Sequence, residues 1–194
     1  MKSICFLLLL ATASGQSISV IQLHTTSMRW VEYYAAAYRV PLELVQAIID
    51  EESGWNPFAL SSKGAAGIMQ LMPQTAVRFG VHNRFRIEEN IRGGVAYLGW
   101  LRRAFGDDLR LVTAAYYVGE GRIRLRRLAY SSPEVYTYVT RVARRYRSRR
   151  LLTMRRHLSC CERKVEVIGN EGLPSVPFSR VHRTGGSART ADHD

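Results

Sequence analysis

A chain of 194 residues, 46% of them hydrophobic, has enough apolar material for one domain with a sizeable core plus tails. Its net charge of +12 is carried almost entirely by arginine, Lys2, Lys63 and Lys164 being the only lysines; such a balance favours nucleic acid, membrane surface or cell-wall polymer as partner. Cysteine is confined to Cys5 and the adjacent Cys160 and Cys161, and the five histidines are scattered, which excludes a disulfide scaffold and leaves no metal-ligand spacing or metal cofactor to expect.

Lys2, the apolar run Ile4 to Ala11 and the small residues Ala13-Ser14-Gly15 make up the three parts of a secretory signal. Residues 1–15 therefore read as the signal peptide of an exported protein of the periplasm or cell envelope, with an uncleaved anchor as the alternative. The run is too short to span a bilayer stably. Residues 16–27 read as a linker, in which Gln16 to Leu23 is disordered or a lone strand.

The predicted helical domain covers residues 28–150, mainly α with little or no β structure. Ser27 is placed to cap a helix from Met28 to Arg39 with Trp30, Val31, Tyr34, Ala35 and Tyr38 at core spacing. Pro41 opens a second helix to about Ser53, and Gly54 ends it. Gly64 and Gly67 permit close backbone approach as the chain enters a short helix through Met72, and Pro73 starts another through Phe79. Asn90 is placed to cap a long helix from Ile91 to Phe105. Gly93 and Gly94 inside it lower helix stability, so a close neighbour is expected there. Asp107 or Asp108 opens the helix Leu109 to Tyr117, and Gly119-Glu120-Gly121 turns into Arg122 to Leu128. Ser132-Pro133 starts a last helix to about Arg150, with Arg141, Arg144, Arg145 and Arg147 off its apolar stripe. Periodicity fades beyond it, and residues 151–194 read as a basic, disordered tail.

The chemistry is expected at the end of the second helix. Leu42, Val45, Ile49 and Glu52 share one stripe, so Glu52 is carried against the core, while Asp50 and Glu51 are turned away and can stay wet. A carboxyl held against apolar surface keeps its proton to higher pH, as a general acid must. No Asp or Glu follows between Ser53 and Phe85. Glu88, Glu89, Asp107, Asp108 and Glu120 lie mostly at helix starts or turns where capping explains them. A second catalytic carboxylate, which ordinary glycosidases use, is thus not excluded but has no support.

Three separated motifs, Glu52-Ser53-Gly54-Trp55-Asn56-Pro57, then Ser61 with Gly64-Ala65-Ala66-Gly67-Ile68-Met69-Gln70-Leu71-Met72-Pro73, then Asn90-Ile91 through Ala114-Ala115-Tyr116 and Gly119-Glu120-Gly121-Arg122, lie in register. Together they resemble the lysozyme-like catalytic domain of the soluble lytic transglycosylases over roughly Pro41 to Arg150. The resemblance implies peptidoglycan as substrate, cut between N-acetylmuramic acid and N-acetylglucosamine, with Glu52 as catalytic acid and then base. It implies a 1,6-anhydro product formed by the muramyl 6-hydroxyl in place of water, and no cofactor. It also implies a saccharide cleft lined by Ser61, Gln70 and Met72, with Tyr116 near Glu52 and able to hydrogen-bond it, and Tyr138 as a late tyrosine facing the site. Core packing is the competing role for Met69, Met72 and Tyr138, and Ser53 could equally satisfy the helix-end backbone. One departure stands out: Tyr116-Tyr117-Val118-Gly119 replaces the usual Tyr-Asn-Ala-Gly.

Two other functions fit the same motifs, a muramidase using water and a non-catalytic wall-binding module. Nucleic acid is not expected, because the basic stretch Arg141 to Arg156 has no aromatic stacking platform beside it. That helix is instead read as an anionic-surface contact. Service to general wall turnover and to a secretion or conjugation apparatus are both compatible with the sequence.

Overall fold

The computed structural model describes residues 21–129 and 132–170. The expected signal peptide and residues 171–194 of the expected tail lie outside the described residues, as do the side chains of Cys160 and Cys161. The described part is helical, with isolated antiparallel bridges joining Leu60 to Ala66 and Ala66 to Leu71 in place of strands. Helix α1 covers residues 21–37. It is followed by α2 (Leu42–Glu52), α3 (Pro73–Arg78), α4 (Ile87–Phe105), α5 (Leu109–Val118), α6 (Glu120–Arg126), a 3-10 turn Arg127–Ala129 and α7 (Pro133–Asn170). The chain divides into two units, one ending at Met154 and the other beginning at Arg155; the fold and site described below belong to the first. Among the described residues no helix is long and apolar enough to cross a membrane.

One hydrophobic core joins Val31 and Ala35 of α1, Val45, Ile48 and Ile49 of α2, Val95, Leu98 and Leu101 of α4, Val112 and Ala115 of α5, Ile123 of α6 and Val142 of α7. All residues from Leu44 to Ile49 are buried, Gln46 included. Six consecutive buried residues cover every face of the helix, so it is surrounded on all sides there, and that overturns the expectation for its last turn. Asp50 and Glu51 do not stay wet. Glu51, whose side chain is 8% exposed, pairs with Arg141 at 2.6 Å and Arg145 at 3.3 Å, and Asp50 pairs with Arg149 at 2.6 Å. Part of the expected free basic face of α7 is therefore turned inward.

Four other expectations change. Ser27 is not a cap: it lies inside α1, and its hydroxyl donates to the Leu23 carbonyl at 2.8 Å, because the helix already runs from residue 21. The glycine-rich run makes no helix through Met72; turns and the two bridges replace it. Asn90 lies inside α4, fully buried. Helix α7 continues past Arg150 to Asn170, so residues 151–170 are helical where a disordered tail was expected. Leu151, Leu152 and Met154 are exposed, and a helix with no buried stripe there leaves no periodic signal in the sequence. The glycine expectation holds. A Cβ on Gly93 would lie 2.2 Å from Val81 Cγ2, and one on Gly94 would lie 2.5 Å from Met69 Sδ. Asp108 is the α5 cap, accepting from the Arg110 amide.

Candidate active site

Glu52 is the last residue of α2, and the chain turns immediately after it. The Ser53 amide still donates to the Ile49 carbonyl, and Gly54 at φ 58° allows the reversal. The Ser53 hydroxyl donates to the Ile68 carbonyl at 2.7 Å, so it does satisfy backbone, that of the returning loop. Sequence order thus becomes proximity: the residue after the carboxylate fastens the glycine-rich loop beside it.

Asn90 shapes that loop. Its Oδ1 accepts from the Met69 amide at 2.8 Å, and its Nδ2 donates to the carbonyls of Ala66 at 3.0 Å and Arg84 at 2.7 Å. Peptide groups in the interior must find partners, and here one amide side chain serves two in this loop and one in the segment just before α4. Gly67, at φ 83°, passes so close that a Cβ would sit 2.2 Å from Asn90 Nδ2. The Gln70 side-chain amide donates to the Ala59 and Gly67 carbonyls at 3.0 and 2.9 Å, and the Ser61 hydroxyl accepts from the Ala65 amide at 2.9 Å.

Glu52, Ser61, Gln70, Met72 and Tyr116 all line one cleft of about 770 Å³. Met69 is fully buried, whereas Met72 is 39% exposed, so core packing describes the first and the cleft wall the second. Tyr138 is 4% exposed and stands behind the wall, with its hydroxyl donating to Glu52 Oε1. The expected Tyr116–Glu52 hydrogen bond is not made. The Tyr116 hydroxyl donates instead to the Met69 carbonyl at 2.7 Å, because the loop folded on Asn90 brings that carbonyl to it.

Burial pushes the Glu52 carboxyl up to about 7; the Tyr138 hydrogen bond pulls the other way, and the charge of Glu51 adds to the rise. Burial next to the Glu52 charge also raises the Tyr116 and Tyr138 hydroxyls, which stay protonated and can act as donors. A partly buried carboxyl that still holds a proton near neutrality, opening on a polar cleft, can act as general acid and, once ionised, as base.

Four residues that the sequence reading did not assign to the cleft, Tyr97, Tyr117, Glu120 and Arg122, also line it. Glu120 is a second carboxylate, but its Oε1 pairs with Arg78 at 2.5 Å and its Oε2 accepts from the Tyr97 hydroxyl at 3.0 Å. Burial opposes its ionisation, yet the bond from its own backbone amide and those from Arg78 and Tyr97 hold it below the usual range. Its place beginning a helix gave no hint of this. A larger cavity of about 1040 Å³ lies along α5, α6 and α7, mostly apolar, with arginines and no carboxylate in its wall; it offers no acid.

The family description "Transglycosylase SLT domain" matches residues 29–136. The chain is 39% identical over 100 residues to "Membrane-bound lytic murein transglycosylase F" of Desulfosudis oleivorans, covering 48% of this chain and 22% of that protein. It is 35% identical over 101 residues to "Soluble lytic murein transglycosylase" of Escherichia coli K12, covering 47% of this chain and 16% of that one. The chain thus spans about a fifth of the length of these curated relatives. Among solved structures, the 70 kDa soluble lytic transglycosylase of Escherichia coli superposes with a TM-score of 0.54 at 28% identity, over 61% of this chain and 23% of that one. An inactive Glu→Gln mutant of the lytic transglycosylase Slt from Pseudomonas aeruginosa superposes at 0.53 and 28% identity, over 60% of this chain and 22% of that one.

Proposed function

Because the chain belongs to the Transglycosylase SLT domain family, we propose that it is an exported lytic transglycosylase of peptidoglycan, with Glu52 as its catalytic acid and base. The observation that carries this reading is the Glu52 carboxyl, protonated to about pH 7 at the wall of the cleft and held there by Tyr138. Glycan strands lie along the cleft, and the bond between N-acetylmuramic acid and N-acetylglucosamine reaches Glu52. Glu52 protonates the leaving glycosidic oxygen. Now a carboxylate, and already accepting from Tyr138, it takes the proton of the muramyl 6-hydroxyl as that oxygen attacks the anomeric carbon. The product ends in a 1,6-anhydro ring. Placing the nucleophile on the same sugar makes the second step intramolecular, which lets one carboxylate act twice. Ser61 and Gln70 offer polar groups to hydroxyls and N-acetyl groups, Met72 offers an apolar contact, and Tyr116 stiffens the wall through Met69.

A glutamate-to-glutamine change gives an inactive form of one superposable transglycosylase, which supports assigning the step to a single glutamate. The test is digestion of purified peptidoglycan with mass analysis of the fragments, run beside Glu52→Gln. Anhydro ends that disappear with the substitution are expected. Reducing ends would instead assign a hydrolase, a reading favoured by the second carboxylate, Glu120, in the same cleft. Fragment release that persists in a folded Glu52→Gln protein would remove the chemistry from Glu52 altogether.

A further inference from the structure

Tyr117 occupies the position where the resemblance leads one to expect asparagine, and its surroundings are unlike those of a surface tyrosine. It lies in the last turn of α5, on the cleft that holds Glu52, Gln70 and Met72. Its ring stacks on that of Tyr138, with centroids 4.4 Å apart and planes 17° from parallel. Tyr138 is 4% exposed and Tyr117 is 41% exposed. One face of the Tyr117 ring is therefore covered by a buried ring whose hydroxyl is fixed on Glu52, and the exposure that remains is the opposite face and the edge.

We propose that Tyr117 is a stacking platform for a sugar ring of the glycan strand, placed beside the catalytic carboxyl by its own stack on Tyr138. Pyranose rings of N-acetylhexosamines carry a face of C–H bonds, which is apolar while the rim is polar. Such a face gains dispersion contact and loses water against a flat aromatic ring. The Tyr138 stack already holds the Tyr117 ring in one orientation, so little side-chain freedom remains to be lost on binding. Asparagine in this position would offer hydrogen bonds and no such surface, so strands gripped here are recognised partly by ring shape. This inference rests on the glycan reading of the cleft.

The experiment separates the two. Glu52→Gln protein, which cannot turn over, is titrated calorimetrically with the hexamer of N-acetylglucosamine, alone and with Tyr117→Ala, Tyr117→Asn or Tyr117→Phe added. The platform predicts Kd weaker by about fivefold for Ala and Asn and nearly unchanged for Phe. In protein retaining Glu52, KM should rise for Tyr117→Ala while the alkaline limb of the pH profile stays in place. Unchanged hexamer affinity in the folded Ala variant would overturn the platform, as would a moved alkaline limb with unchanged affinity, since the ring would then merely prop Tyr138. If the Glu52→Gln parent binds no hexamer and protein retaining Glu52 releases nothing from peptidoglycan, the glycan reading falls and the platform falls with it.

Discussion

The Tyr138 hydroxyl donates to Glu52 Oε1 although 86 positions separate the two residues. The bond favours the ionised carboxyl and burial favours the neutral one, and burial is the larger effect. Tyr138→Phe removes the downward pull. The Glu52 carboxyl should then titrate above 7, and the alkaline limb of kcat/KM should move to higher pH. The carboxylate formed in the first step loses a donor, so kcat should fall about tenfold. A pH series of fragment release checks both, and a limb that stays or moves toward acid would show that Tyr138 does not set this titration.

The same carboxyl makes stability depend on pH, with a definite sign. Glu52 moves from an ordinary 4.5 to about 7 on folding. Between those values the folded protein holds a proton that the unfolded chain has released, so this group lowers stability as pH rises. The loss is complete above about 7 and amounts to roughly 3 kcal/mol at most. Glu52→Gln cannot ionise. Its Tm should exceed that of the unsubstituted protein at pH 8 and match it closely at pH 4. Equal melting differences at both pH values would mean that the carboxyl is not shifted.

Asn90 links two peptide groups of the loop, and the Arg84 carbonyl just before α4, from a fully buried position. Asn90→Ala strips the buried Met69 amide of its partner and leaves the Ala66 carbonyl with the Leu71 amide alone, at about 1–3 kcal/mol for a buried group left unpaired. Asn90→Asp keeps the acceptor for the Met69 amide and loses both donations. Thermal melts should rank the unsubstituted protein above both variants, with proteolysis falling first between Ala59 and Leu71. A variant that melts like the parent would show that the loop holds its shape without Asn90.

What could be read from the sequence, and what could not, follows from how local each signal is. Pro41, Gly54, Pro73 and Gly106 set helix ends through their own backbone preferences, and α2 to α5 fall close to where those residues put them. Gly93 and Gly94 announced a close neighbour for the same reason, but Met69 and Val81 could be named only in three dimensions. Asn90 misled because asparagine just before an apolar run is the pattern of a cap, and a side chain bonding across the domain has the same local pattern. Glu52 stood out through its helical stripe, and Ser61, Gln70, Met72 and Tyr116 through ordered motifs. The Tyr138–Glu52 bond and the exchange of Tyr116 from Glu52 to Met69 are long-range pairings, fixed by how α5 and α7 pack, which no local spacing encodes.

The arginines of α7 at positions 141, 145 and 149 recur every helical turn and meet the last turn of α2. Arg149 grips Asp50 through Nε and Nη2 at 2.6–3.0 Å and reaches Gln46 Oε1 at 3.2 Å. Asp50 also accepts from the Trp55 indole at 2.7 Å, so one carboxylate joins α7, α2 and the turn after Glu52. A forked guanidinium on a carboxylate is stronger than a point contact, but the Arg149 side chain is 30% exposed and solvent weakens the pair. Arg149→Gln should therefore lower stability by about 1–2 kcal/mol, and Arg149→Lys by less. Because Tyr138 rides on the same helix, a loosened strap should also move the alkaline limb in the direction that Tyr138→Phe moves it, by a smaller amount. Melting curves, a double-mutant cycle with Asp50→Asn and the pH profile of Arg149→Gln check this together. Loss of stability with an unmoved limb would confine Arg149 to holding the helices; an unchanged Tm would show that the strap holds nothing.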